Sequence, residues 1–278
     1  MDKARPEYID IHSHVNFPGF DLDREEVVER ALQAGVWMIN VGTGKEMSQK
    51  AVNMTAEFPY GVYAIVGLHP IYAHEEIFDA NDYRMMIKNY VDKNTSSGSR
   101  SKIVGIGECG LDYFHSDDPE HYEIQKSVFI KQIELALELD LPLMLHIRSG
   151  NGKDAYRNVI DILKEYKIKH GEKLRGDAHF FAGSVKDAED FLELGFTLSY
   201  TGVITFAKQY AELIKSTPSD KIMSETDCPY VSPEPFRGKR NEPMYVREVA
   251  NTIASIKGEN PVEFRKILVE NAFRLWKL

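Results

Sequence analysis

Eight short apolar runs, each parted from the next by a segment of helical periodicity, constrain the folding of this chain of 278 residues more than any other feature. The runs fall near residues 8–11, 37–41, 62–67, 102–106, 142–146, 174–179, 196–199 and 221–225. Between them the apolar spacing predicts helices over Arg24 to Ala34, Met47 to Phe58, Tyr83 to Val91 and Glu120 to Asp140, then Asp154 to Tyr166, Val185 to Leu194 and Phe206 to Lys215. Strands and helices alternating in this way make parallel βαβ units. Eight such units without an obvious linker predict one α/β domain over residues 1–278, a closed (β/α)8 TIM barrel. Two further helices, Met244 to Lys257 and Pro261 to Trp276, are expected to cover the last strand and the outside of the barrel. The polar run Asn94 to Ser101 reads as a loop entering the fourth strand, on the face opposite an active site.

Several of these runs end in residues that bind metals. YIDIHSH ends in His12 and His14, and side chains two apart on an extended chain point to one face, so both imidazoles reach a common point. KIVGIGECGLD brings Glu108, LPLMLHIR brings His146, LRGDAHFFAG brings His179, and KIMSETDCP brings Asp227. Only nine histidines occur in the chain, yet four of them sit at strand ends, where barrel enzymes place their reactive groups. Four imidazoles and two carboxylates suit two adjacent divalent cations, with Glu108 placed to bridge them.

The chain carries 34 basic and 43 acidic residues, a net charge of −9. That excludes a broad electrostatic grip on a long duplex and favours a strand end or a short single strand. The compact basic cluster runs from Arg237 through Lys239 to Arg240. No apolar segment is long enough to cross a bilayer and none resembles a secretory signal, so a cytoplasmic, membrane-free protein is expected, with no obligate protein partner. Cys109 and Cys228 then read as small buried hydrophobes rather than a disulfide.

Taken together, IDIHSH, GLHP at Gly67 to Pro70, IGECGLDY at Ile106 to Tyr113, LHIR, HFFAG, TGVITF at Thr201 to Phe206, ETDCPY and RGKRNEP at Arg237 to Pro243 resemble the TatD family of metal-dependent deoxyribonucleases, a branch of the amidohydrolase-like barrels. The resemblance covers essentially the whole chain. It implies two divalent ions per chain (Mg²⁺, Zn²⁺ or Mn²⁺) bound by His12, His14, Glu108, His146, His179 and Asp227. Phe180 and Ala182 depart from the family pattern, which often has a polar residue or cysteine after the fourth histidine and serine before the glycine. The residues after Arg148 also depart from the acidic pattern often found there.

The chemistry expected is hydrolysis of a phosphodiester by a metal-activated water, exonuclease-like, on single-stranded DNA or strand ends. Glu108 and Asp227 are the expected catalytic groups, with Asp227 taking the proton of the water. His69, Arg148, Arg237 and Arg240 are candidates to contact phosphate. Asp112 and Tyr113 are expected to line the site without a chemical step. His74, His115, His121 and His170 are expected on the surface. The same cradle in related barrels hydrolyses small esters, lactones or amides, and a non-catalytic metal-binding barrel is the third reading.

Overall fold

The computed structural model describes residues 5–94 and 101–278, so the polar run Asn94 to Ser101 falls, but for its two end residues, outside the described residues. Eight strands form one parallel sheet in sequence order: β1 (Tyr8–Ser13), β2 (Val36–Val41), β3 (Val62–Val66), β4 (Ile103–Asp112), β5 (Leu143–Arg148), β6 (Gly176–Ala178), β7 (Thr197–Tyr200) and β8 (Ile222–Ser224). The sheet curls until its last strand meets its first. That seam is made just beyond β8, where the backbone N–H of His14 donates to Cys228 O at 2.9 Å and that of Asp227 to His12 O at 2.9 Å. Asp10 reinforces it, accepting from the Thr226 N–H at 2.8 Å and the Thr226 hydroxyl at 2.5 Å. The architecture is the expected TIM barrel.

Helices α1 (Arg24–Gln33), α2 (Lys45–Glu57), α3 (Ala80–Asn94), α4 (Pro119–Leu139), α5 (Ala155–His170) and α6 (Val185–Glu193) follow the first six strands. Local chemistry sets their ends: Pro119 opens α4 behind the cap of Asp118, and Ser184 and Asp187 form a reciprocal capping box on α6. The helix expected from Phe206 to Lys215 is present over its second half and is 3-10 before that. Two short 3-10 turns, Gly202–Thr205 and Lys208–Tyr210, precede a six-residue α7 (Ala211–Ser216). The Thr201 side chain caps the first turn and the Thr205 hydroxyl donates back to Gly202 O at 2.7 Å, so local side-chain bonds compete with a continuous helix.

Of the two C-terminal helices, α8 (Val246–Lys257) packs outside the barrel, as expected. The last, α9 (Pro261–Trp276), does something else. Val269, Ala272, Leu275 and Trp276 join the barrel-interior cluster of Ile9, Ile11, Trp37, Ile39, Val104, Met144 and Met223, closing the end opposite the catalytic face. Gly105 makes room for it, since a Cβ there would stand 2.8 Å from the Trp276 ring. The apolar floor leaves the polar chemistry to the other end of the barrel.

Candidate metal centre

Two irregular strands aim the central ligands. In β1 the pairing with β2 slips between Asp10 and Ser13, so three steps of β1 oppose two of β2, and a residue that strict alternation would turn outward, His12, faces the barrel axis. In β4 the pairing with β5 slips between Ile106 and Cys109, and Glu108 sits in that bulge. Past it, Gly110 is obligatory: its φ is +143° and a Cβ would lie 2.0 Å from the carbonyl oxygen of His146. Glu108 therefore emerges from within a strand, where the sequence suggested a position just past one.

The other five expected ligands gather around Glu108, four directly and Asp227 through His12 and His14. Glu108 Oε2 lies 3.5 Å from His12 Nε2 and 3.7 Å from His14 Nε2. Asp227 Oδ1 completes this group, 3.5 Å from His14 Nε2 and 3.9 Å from His12 Nε2. The other oxygen, Oε1, lies 2.8 Å from His146 Nδ1 and 3.3 Å from His179 Nε2. His69 Nε2 approaches the same oxygen at 3.4 Å. Glu108 and the histidines are buried or nearly so, and two neighbours of the ligand set are strained: Phe180 (φ 46°) follows His179, and Asp227 itself has φ 56°. Left-handed backbone at non-glycine residues costs about 1–2 kcal/mol each and collects at functional sites.

Hydrogen bonds assign the tautomers of two rings. His14 Nδ1 donates to Val41 O at 2.9 Å and His179 Nδ1 to Glu225 Oε1 at 3.0 Å, while both nitrogens of His146 meet a carboxylate, Nε2 at Asp112 Oδ2 (2.9 Å) and Nδ1 at Glu108 Oε1 (2.8 Å). The second nitrogen of each ring points at a carboxylate oxygen or another imidazole, and His12 Nε2 and His14 Nε2 are 3.1 Å apart. Donor atoms crowded this closely are what a divalent cation binds as their protons leave. Among the described residues, donor atoms close enough to share an ion fall into three groups, His12, His14 and Glu108, then His69, Glu108 and His146, and lastly His12, His179 and Glu225, so donors stand on both sides of Glu108. His69 differs, because its Nδ1 accepts from the Ile71 N–H at 3.1 Å, which leaves Nε2 as the protonated nitrogen and makes it a donor rather than a ligand.

The electrostatics follow from this packing. Burial alone would push Glu108 up, but His69, His12 and His179 overcome it and hold the carboxylate well below the usual range. Burial and the charge of His146 lower His69 to about 4, so it is neutral at pH 7. Burial also opposes charge on His146 and His179, yet Asp112 and Glu108 raise the former, and Glu225 and Glu108 raise the latter. Protons held there in the absence of metal are those that metal binding displaces.

A cavity of about 620 Å³ opens over the centre. His69, Arg148, Tyr72 and Tyr230 line it, with the exposed Arg148 guanidinium stacked 4.0 Å over the Phe114 ring. His115, expected merely on the surface, also lines it, its Nδ1 2.9 Å from Asp112 Oδ2. Arg237 and Arg240 do not reach the cavity wall. Arg240 pairs with Asp23 at 2.8 and 2.5 Å and approaches Glu242 at 3.4 Å, so its expected contact with phosphate gives way to a network tying the last loop to α1. Cys109 and Cys228 are buried and unpaired, as expected.

Sequence reasoning passed over Glu225 and gave Asp112 no role, although they orient His179 and His146. It also missed Asp177, whose Oδ2 lies 2.6 Å from Ser199 Oγ, which in turn lies 2.9 Å from Glu225 Oε2.

The match of residues 9–277 to the model of the family described as TatD related DNase decides the kinship. The chain belongs to the TatD family. It is 39% identical over 272 residues to the uncharacterized metal-dependent hydrolase YabD of Bacillus subtilis, covering 97% of this chain and 98% of that one. It is 31% identical to the 3′-5′ ssDNA/RNA exonuclease TatD of Pectobacterium parmentieri, over 97% of this chain and 99% of the other. Among solved structures, the TatD homologue YjjV of Escherichia coli superposes with a TM-score of 0.83 at 28% identity, covering 98% of each chain. The protein is thus a TatD-family metal-dependent hydrolase, and its His/Glu clusters are able to hold metal. No helix among the described residues is long and apolar enough to cross a membrane.

Proposed function

We propose that this TatD-family chain is an exonuclease-like phosphodiesterase that holds two divalent cations, one on each side of Glu108, and acts on the ends of single-stranded DNA. The observation that carries the reading is the division of labour at Glu108, each of whose carboxylate oxygens faces its own set of donors. Bound there, a cation pair supplies Lewis acidity, which lowers the pKa of a water and offsets charge gathering on a phosphoryl group. Asp227 accepts the proton of the attacking water at its carboxylate. The new bond joins the water oxygen to phosphorus as the bond from phosphorus to the leaving oxygen breaks. His69 Nε2–H and the Arg148 guanidinium, both on the cavity wall, donate to phosphate oxygens. The cavity of about 620 Å³ over the centre has room for the end of a strand. The ssDNA/RNA exonuclease named among the relatives supports the choice of substrate.

The test is hydrolysis of single-stranded oligonucleotides labelled at the 3′ or the 5′ end, by metal-reconstituted protein. Stepwise ladders that vanish in Glu108→Gln are expected, and the label that shortens first gives the polarity. Absence of cleavage with Mg²⁺, Mn²⁺ and Zn²⁺, in protein shown to hold metal, would overturn the reading in favour of a small ester, lactone or amide.

A further inference from the structure

The loops around the cavity mouth differ in charge. On one side, after β3 and at the start of α4, Glu75, Asp79, Asp117 and Asp118 are exposed. On the other, the loops after β7 and β8 carry Lys208, Arg237 and Lys239, all exposed and, among the described residues, in no ion pair, with the exposed Glu234 as the one carboxylate beside them. Nearby, Arg24 pairs with Asp21, and Arg30 and Arg240 pair with Asp23 and Glu242. A chain of net charge −9 thus leaves a small net-basic patch on one side of its mouth.

Exposed aromatic rings gather on the same face. Of the five aromatic residues among the large exposed apolar side chains, Tyr72, Phe114, Phe206 and Tyr230 lie in loops at the catalytic end and only Tyr60 does not. Phe206 is 41% exposed, and the Arg237 guanidinium stacks 3.9 Å over its ring. The loops that carry this pair are joined, since the Glu234 N–H donates to Thr205 Oγ1 at 2.9 Å, and Arg237 is held within its own loop, its Nη1 donating to Ser232 O at 3.2 Å. The pair stands outside the cavity, whose wall on this side is made by Tyr210 and Tyr230.

We propose that Phe206 and Arg237 form a second nucleic-acid subsite, which grips the strand after it leaves the cavity; the proposal rests on the nuclease reading above. A flat guanidinium stacked on a ring keeps its N–H edge for a phosphate, while the uncovered part of the ring offers a base a surface to stack on. Stacking of this kind tolerates any sequence, and the phosphate contact recurs with every nucleotide. A small ester or lactone would occupy the cavity alone and gain nothing from the pair.

The experiment compares steady-state hydrolysis of a dinucleotide and of a single strand of about 12 nucleotides by metal-loaded wild-type protein, Phe206→Ala, Arg237→Gln and Phe206→Trp. KM for the longer strand should rise about 10-fold in Phe206→Ala and in Arg237→Gln, in line with the loss of one stacked base or one phosphate contact. Dinucleotide kinetics should stay at the wild-type level, and Phe206→Trp should restore the longer strand. Equal effects on both substrates, or none on the longer strand, would overturn the subsite while leaving the nuclease reading intact. Wild-type protein that cleaves neither substrate would overturn both.

Discussion

The two sides of Glu108 each gather two of the expected ligand imidazoles but bring in negative charge by different routes. On the side of β1 and β8, Asp227 delivers its carboxylate directly, while the rings behind it have weak support: His14 leans on a backbone carbonyl and His12 Nδ1 is buried with no hydrogen-bond partner. On the side of β5 and β6 the only carboxylate among the described residues within 4 Å of the ligating nitrogens is Glu108 itself, and the extra charge arrives through the rings, from Asp112 behind His146 and Glu225 behind His179. A carboxylate behind an imidazole fixes its tautomer and raises its basicity. The difference shows how two neighbouring ion sites acquire unequal character from nearly the same residue types.

Substitution at the shared carboxylate should affect both sides together. Glu108→Gln is expected to lower activity by more than about 100-fold, beyond what loss of a residue behind a ligand costs, and to lower metal content with it, as read by mass spectrometry of the purified protein. Wild-type metal content with full activity would refute the site. The asymmetry is tested next by Asp112→Asn and Glu225→Gln, each expected to weaken metal binding by about 10- to 100-fold on the β5/β6 side alone. Calorimetric titration should then show one weakened class of site and one unchanged. The smallest effect belongs to Ser199→Ala, which removes the hydroxyl between Asp177 and Glu225 and should weaken metal binding by about 2- to 10-fold, the worth of one hydrogen bond. An effect there as large as that of Glu225→Gln would mean that the buried polar layer acts as a unit.

The ligands were legible because the chemistry repeats: a short apolar run, then a histidine or carboxylate, five times over. The residues behind them were legible in principle through strand periodicity. Asp177 lies two before His179, Glu225 two before Asp227, and Asp112 four beyond Glu108, so each shares the inward face of a residue already singled out. Alternation alone, however, misplaces His12 and Glu108, because the bulges that aim them inward arise from pairing with β2 and β5, and no local pattern announces a slip in register. Two other misreadings share that tertiary origin. Arg240 looked free beside Arg237 because Asp23 is remote in sequence, and α9 looked like an outer helix because its apolar face gave no sign of the open barrel end that it fills. The helix expected from Phe206 starts late for a local reason, the threonines at 201 and 205 that favour a tight turn just before it.

The most direct test of the account is a crystal of the protein grown with Mn²⁺ and measured at the manganese absorption edge. Two anomalous peaks flanking Glu108 are predicted, one within reach of His12, His14 and Asp227 and the other within reach of His146 and His179. A single peak, or two peaks that leave Glu108 outside the coordination of either ion, would contradict it.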